Sequence, residues 1–186
     1  MRRFYFWQKE KSTKKNLRQS PLRKAVLVGN PNVGKSVVFN RLTGLYVTVS
    51  NYPGTTVEVA RGRGYFIQEE MEVVDTPGMY SLLPITEEEK VARQLLLQEQ
   101  PSVVIHVVDA CNLERMLSLT LQLIEAEMPL ILLINMMDEA RRIGLRLDCD
   151  LLSQRLGIPV VAAAAVLNEG MANLRKKVAE LVRTAA

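Results

Sequence analysis

Apolar residues along this chain occur in two textures: short runs, and longer stretches with helical spacing. The short runs are Ala25–Val28, Val103–Val108 with His106 inside it, Pro129–Asn135 with Asn135 at its end, and Val160–Ala163. Runs this short, bounded by polar or turn residues, suit strands covered on both faces. Thr56–Phe66 and Met71–Asp75 predict two more strands, joined by the polar turn Gln68-Glu-Glu70 as an antiparallel hairpin. Helical spacing marks four segments. Lys35–Thr43 ends at Gly44, and Glu87–Gln98 begins after Thr86 with Glu87, Glu88 and Glu89 suiting the positive end of the dipole. Asn112–Glu127 carries leucines at 113, 117, 121 and 123 as its apolar stripe, and Asn168–Leu181 closes the chain. Leu45–Thr55, with Ser50-Asn-Tyr-Pro-Gly54, reads as a loop. Strands alternating with helices predict an α/β domain: a mostly parallel central sheet, one antiparallel edge strand, and helices on both faces.

Composition changes this picture in one place. Nine Lys/Arg fall in residues 1–24 against Glu10 alone, whereas the rest of the chain has 15 basic and 19 acidic side chains. A basic arm (residues 1–23) therefore precedes a mildly acidic body (24–186). The arm reads either as a flexible extension or as a contact for anionic membrane or RNA. At 186 residues the chain is large enough for one core. The apolar runs are too short to cross a bilayer, and the aromatic start is too short for a signal peptide. Cys111 and Cys149 have neither disulfide nor zinc spacing, which suits a reducing compartment.

The chemistry begins at Gly29-Asn-Pro-Asn-Val-Gly-Lys35-Ser36, between a predicted strand and a predicted helix. A glycine-rich turn in that setting gathers backbone N–H groups, and the helix start adds partial positive charge, so the spot binds phosphate. Gly29, Asn30, Asn32, Val33, Gly34, Lys35, Ser36 and Val37 are the candidate cradle. Lys35 is placed for the outer phosphates and Ser36 for Mg²⁺. This pattern serves ATPases and GTPases alike.

Four later motifs favour guanine. Thr55-Thr56 lies in a loop where one hydroxyl can reach Mg²⁺. Asp75-Thr-Pro-Gly78 ends a strand, with Asp75 able to hold Mg²⁺ through water and the Gly78 N–H able to sense a γ-phosphate. Asn135-Met136-Met-Asp138 ends another, and the Asp138 carboxylate can accept from guanine N1–H and N2–H₂, donors that adenine lacks. Ala163–Val166 follows the last strand and can offer a backbone N–H to guanine O6, with Ala164 and Ala165 as candidates. Singly these are common turns. In this order, at the carboxyl ends of strands where such sheets bind ligands, they define a P-loop GTPase fold binding GTP or GDP.

Over about residues 24–182 the chain resembles the cytosolic G domain of the ferrous iron transport protein B family of bacterial membrane transporters. The resemblance rests on the phosphate loop, Asn51-Tyr-Pro-Gly-Thr-Thr-Val-Glu58, Asp75-Thr-Pro-Gly-Met-Tyr-Ser81, Leu119-Thr-Leu-Gln-Leu123 and Asn135-Met-Met-Asp138. Most diagnostic is Val108-Asp-Ala-Cys-Asn-Leu-Glu-Arg115, which has no role in general GTPase chemistry. The resemblance implies Thr56 rather than Thr55 as the switch threonine, and Asn32 as ligand of an activating K⁺. The implied catalytic set is Asn32, Lys35, Thr56 and Gly78; the implied Mg²⁺ set is Ser36, Thr56 and Asp75. It also implies a membrane-embedded iron-transport partner, in the same or a separate chain, and a place at the cytoplasmic face of the inner membrane.

Two departures stand out. Met79 fills the place where Ras-like proteins carry a water-orienting Gln, so slow hydrolysis is expected. Ala164-Ala165 replace a hydroxyl-bearing pair, which predicts looser nucleotide. The family's helical and membrane portions have no counterpart here, as in either a fragment or a stand-alone relative. A soluble RNA-binding or ribosome-assembly GTPase is the alternative function, and a binding module with negligible turnover a third. His106 and both cysteines are read as packing residues, and no nucleic acid is expected at the site.

Overall fold

The computed structural model describes residues 22–184, so the basic stretch read as an arm lies almost entirely outside it. Seven strands form one sheet: β1 (Lys24–Val28), β2 (Thr43–Asn51), β3 (Glu58–Phe66), β4 (Glu69–Asp75), β5 (Val103–Asp109), β6 (Leu130–Asn135) and β7 (Val160–Ala162). Their order is β2-β3-β4-β1-β5-β6-β7. β4, β1, β5, β6 and β7 pair in parallel, while β3 is antiparallel to both its neighbours. The antiparallel strand expected at the edge thus has one more strand outside it.

That outer strand is β2, where a loop over Leu45–Thr55 was expected. The loop reading gave too much weight to Pro53 and Gly54. The residues before them are β-branched and aromatic, and they pair with β3 from Val47 opposite Gly62 to Asn51 opposite Glu58. Gly44 is not a helix stop. The helix α1 (Lys35–Leu42) ends because Thr43 turns extended, with its hydroxyl donating to Phe39 O at 2.8 Å.

Period-2 alternation along the buried strands splits the core in two. Ala25 and Leu27 of β1 face a layer that includes Phe39, Leu42, Leu174 and Val178. Val26 and Val28 face the opposite layer with Val91, Leu95, Leu119 and Leu123. The first layer is covered by α1 and α6 (Met171–Thr184), the second by α2 (Glu87–Gln98) and α3 (Leu113–Glu125). In α3 the buried stripe is Met116, Leu119, Thr120 and Leu123, and Leu121 is exposed, so the expected leucine stripe was out of phase. Two short helices escaped the sequence reading: α4 (Met137–Arg142) and α5 (Cys149–Leu156). α4 presents no continuous apolar stripe, and the short stripe of α5, Cys149, Leu152 and Leu156, packs on the core without any fully buried residue. The last helix starts at Met171 rather than Asn168, because Asn168 and Gly170 both adopt positive φ.

His106 of β5 is completely buried. Its Nδ1 lies 3.0 Å from the Thr120 hydroxyl, its Nε2 has no partner among the described residues, and burial lowers its pKa to about 3.

The start of α2 is organised by one carboxylate. Thr86 caps the helix as the sequence suggested, and with Glu89 it forms a reciprocal capping box. Glu89 also accepts from Tyr80 N at 3.1 Å and Ile85 N at 2.8 Å, so it folds the whole connection from β4 to α2. These backbone donors hold its carboxyl below the ordinary glutamate value. The stabilisation is present above the unfolded glutamate pKa and lost as pH falls through the lower folded one. Glu89→Gln replaces one accepting oxygen by an amide facing donors. It should lower stability at pH 7 by about 1–3 kcal/mol. In chemical denaturation the gap to the parent chain should narrow below about pH 4; a gap independent of pH would count against this role.

Candidate functional site

The site lies at the carboxyl ends of β1, β4 and β6, where the sheet's connections diverge to opposite faces. The loop Gly29–Gly34 leaves β1 and enters α1 through Gly34, whose φ of 82° places it in the left-handed region. A side chain there is excluded twice, since a Cβ on Gly34 would fall 2.5 Å from Asn135 Nδ2. Asn32 also takes positive φ, 64°, and is exposed.

Lys35 is buried and its ammonium is pulled below the ordinary lysine value by that burial, with the Asp75 charge opposing the shift. Asp75 is pushed up by burial, and Lys35 and a Ser36 hydrogen bond oppose it. Ser36 Oγ donates to Asp75 Oδ2 at 2.9 Å. Asp75 Oδ1 is buried with no partner among the described residues, and so is Asn30 Oδ1. A hydroxyl beside a carboxylate with an unpaired buried oxygen is a donor set suited to Mg²⁺. The residues present therefore fit that ion.

Beyond Asp75, Thr76 is pinned to β1 by its hydroxyl on Leu27 O at 2.8 Å. Met79 N donates to Gly29 O at 3.0 Å, so the Asp75–Gly78 segment runs against the phosphate loop. The approach is close: a Cβ on Gly78 would lie 2.7 Å from Pro31 Cγ. The Met79 side chain is fully buried in the layer under α2, so it is directed into the core.

Asn135, at the end of β6, joins two loops. Its Nδ2 donates to Val33 O at 3.0 Å and its Oδ1 accepts from Ala165 N at 3.0 Å. Met136 follows in the left-handed region and opens α4, which puts half-exposed Asp138 in the first turn. Met137 N then donates to Ala163 O, so α4 starts against the turn after β7.

Most of the motif residues are brought together by these contacts: Asn30, Val33, Gly34, Lys35, Ser36, Asp75, Gly78, Asn135 and Ala165. Val37 is half-buried and packs on the core from α1. Thr56 is exposed, with no hydrogen bond to the phosphate loop. Thr55 is tied into its own turn, its hydroxyl donating to Tyr52 O and accepting from Val57 N. The alanine turn differs from expectation. Ala164 N donates to Glu169 O and Ala165 N to Asn135, so neither N–H is free. Val166 N, one residue on, has no intramolecular acceptor among the described residues. Sequence reading also passed over Arg41 in the last turn of α1, whose guanidinium donates to Ala165 O and Val166 O. Arg61 and Arg63 of the hairpin pair with Glu99, Glu72 and Glu70 instead of turning to the phosphate loop. Among the described residues no three His, Cys, Asp or Glu side chains are gathered as a metal-binding group, so the Ser36–Asp75 pair stands apart from any such cluster.

Fold and site together define a P-loop domain of the GTPase class. Within that class the chain belongs to the ferrous iron transport protein B family, whose model matches residues 23–178. It is 43% identical over 152 residues to the Fe(2+) transport protein A/Fe(2+) transporter FeoB fusion protein of Porphyromonas gingivalis, covering 81% of this chain and 18% of that one. To the Fe(2+) transporter FeoB of Campylobacter jejuni it is 41% identical, covering 83% and 25%. The chain thus spans a quarter or less of these relatives. Among solved structures, the apo cytosolic domain of T. maritima FeoB superposes with a TM-score of 0.82 at 40% identity, over 87% of this chain and 64% of that one. The FeoB G-domain of Methanococcus jannaschii gives 0.76 at 38% identity, over 88% and 99%. A GMPPNP form of the T. maritima domain matches as well, at 0.81.

Removing the Asn135 amide should leave Val33 O and Ala165 N–H without partners. Asn135→Ala is expected to cost about 2–4 kcal/mol in urea unfolding, one buried orphan at each end, and to weaken labelled GDP together with it. An unchanged unfolding midpoint would show that the bridge is idle.

Proposed function

We propose that this domain is the guanine nucleotide switch of a ferrous iron uptake system, binding GTP with Mg²⁺ and hydrolysing it slowly. The observation that carries the reading is the Asn135 bridge. It makes one body of the phosphate loop and the turn beside Asp138, as recognition of phosphates and base together requires.

The N–H groups of Gly29, Asn30 and residues 32–37, with the Lys35 ammonium, hold the phosphates. Asp138 accepts from guanine N1–H and N2–H₂. Ser36, Thr56 and Asp75 are the residues to hold Mg²⁺, which supplies positive charge against the outer phosphates. Thr56 is preferred to Thr55 because the Thr55 hydroxyl is already engaged. Gly78, packed on Pro31, offers its N–H to the γ-phosphate. Asn32, exposed and held at positive φ, is the candidate to place K⁺ there as a further positive charge. Water attacks the γ-phosphorus as the bond to the β–γ bridging oxygen breaks, and GDP leaves with that electron pair. With Met79 in the core and both hairpin arginines paired, no described side chain is evident to orient the water, hence the slow turnover.

Loss of the γ-phosphate releases the segments around Thr56 and Gly78. We take the receiver to be a membrane-embedded iron-transport domain, in the same or a separate chain, at the cytoplasmic face of the bacterial inner membrane. The family's names for its members support that partner. No described helix is long and apolar enough to cross a membrane.

Asp138→Asn should weaken GTP by about 2–3 kcal/mol or more, because the base donors lose a charged acceptor, and should improve xanthosine triphosphate binding. Titration of both nucleotides decides it, and parental GTP affinity in the variant would refute the base assignment. Turnover should rise about tenfold or more from Na⁺ to K⁺ buffer if a cation does part of an arginine finger's work. Asn32→Ala should abolish the rise and spare GDP binding. Equal rates in both salts would leave Asn32 a turn residue.

A further inference from the structure

Ala162–Ala165 are four consecutive alanines, and a turn built from them has no side-chain donor or acceptor with which to brace itself. The bracing comes from elsewhere. Asn135 holds the Ala165 N–H and the Glu169 carbonyl holds the Ala164 N–H. Arg41 takes the two carbonyls that follow: its Nε donates to Ala165 O at 2.9 Å and its Nη2 to Val166 O at 2.6 Å. A planar guanidinium donating to two successive carbonyls fixes the orientation of both peptide units, which a point-charge ammonium does less well. The Val166 N–H lies between those two carbonyls along the chain and is left unbonded.

Arg41 is itself held. Its carbonyl accepts from Arg175 Nη2 at 2.6 Å, and Arg175 Nη1 reaches Tyr65 O at 2.6 Å. The helix that begins with Lys35 and Ser36 at the phosphates therefore ends, in its last turn, with a side chain on the base-side turn.

Resting on the guanine reading above, we propose that Arg41 is a positioning residue for base recognition. It replaces the missing loop hydroxyl and holds the Val166 N–H for guanine O6. Through α1 it also links retention of the base to retention of the phosphates. Asp138 acts on the neighbouring N1–H and N2–H₂ of the same edge, from a separate element, through its own carboxylate.

The test uses the whole chain with Arg41→Ala, Arg41→Lys and Arg41→Gln. Stopped-flow release of a fluorescent GDP is measured with two competitions. One is against 6-thioguanosine diphosphate, which keeps N1–H and N2–H₂ for Asp138 and puts the weaker acceptor sulfur in place of O6; the other is against xanthosine diphosphate, which keeps O6 and N1–H and lacks the 2-amino group that Asp138 reads. Arg41→Ala should release GDP about tenfold faster, as expected for loss of charge-assisted hydrogen bonds. It should lose most of the preference over the thioguanine nucleotide and keep the preference over the xanthine one. Arg41→Lys should recover part of both effects and Arg41→Gln less. Because Arg41 is exposed, the unfolding midpoint should stay near the parent's. Parental release and preference in Arg41→Ala overturn the proposal, and so does an equal loss of both preferences with a lowered midpoint, which marks a general scaffold. A parent chain without guanine preference overturns the base-site reading first and this proposal with it.

Discussion

A single buried amide decides whether this domain has one binding site or two unrelated loops. Asn135 has a donor and an acceptor on one planar group, and each finds a backbone partner in a different segment. Either contact alone would be ordinary. Together they fix the separation of the phosphate loop and the alanine turn to within hydrogen-bond tolerance, since neither can shift without orphaning a buried group. Gly34 follows from the same constraint, because any larger residue would occupy the space of that amide. The strand order follows too: β6 must lie close enough to β1 for its last residue to reach the loop after β1, and only β5 intervenes.

Around that fixed point the electrostatics are left incomplete on purpose. Burial drives Lys35 and Asp75 each toward neutrality, and the charge of each opposes the change in the other. Two carbonyl-type oxygens, Asn30 Oδ1 and Asp75 Oδ1, remain buried without protein partners. Such groups cost free energy in a site built only for stability, and their presence beside an array of N–H donors suits a ligand with both anionic and cationic parts.

Much of this was legible beforehand, and the reason is physical. A phosphate loop needs glycine, lysine and serine at fixed spacing, and the base site needs Asn135 and Asp138 together, so chemistry restricts the residue choice. The strands β1, β5 and β6 were legible because burial on both faces leaves a nearly unbroken apolar run. What failed was set by context. The strand β2 lost to Pro53 and Gly54, whose effect begins only after Asn51. The stripe of α3 was mis-phased because Leu121 is apolar yet exposed. Arg41 could not be found, since a charged residue six positions after Lys35 reads as a solvated helix face. The free N–H of Val166 was one residue beyond the pair singled out, and it takes both the pairing of Ala164 with Glu169 and the Ala165 N–H on Asn135 to shift it.

His106 has a consequence for where such a domain can operate. The imidazole is sealed inside β5, with Thr120 as its one described partner, and stays neutral down to about 3. In the unfolded chain it would take a proton near the ordinary histidine value. The folded pKa is the lower of the two, so the stability it contributes is full above about 6.5 and erodes as pH falls toward 3. Each pH unit in that interval costs about 1.4 kcal/mol. Acidification thus acts on a strand that supplies none of the candidate site residues, and sets a floor on tolerable pH through the core instead of through the chemistry of the site.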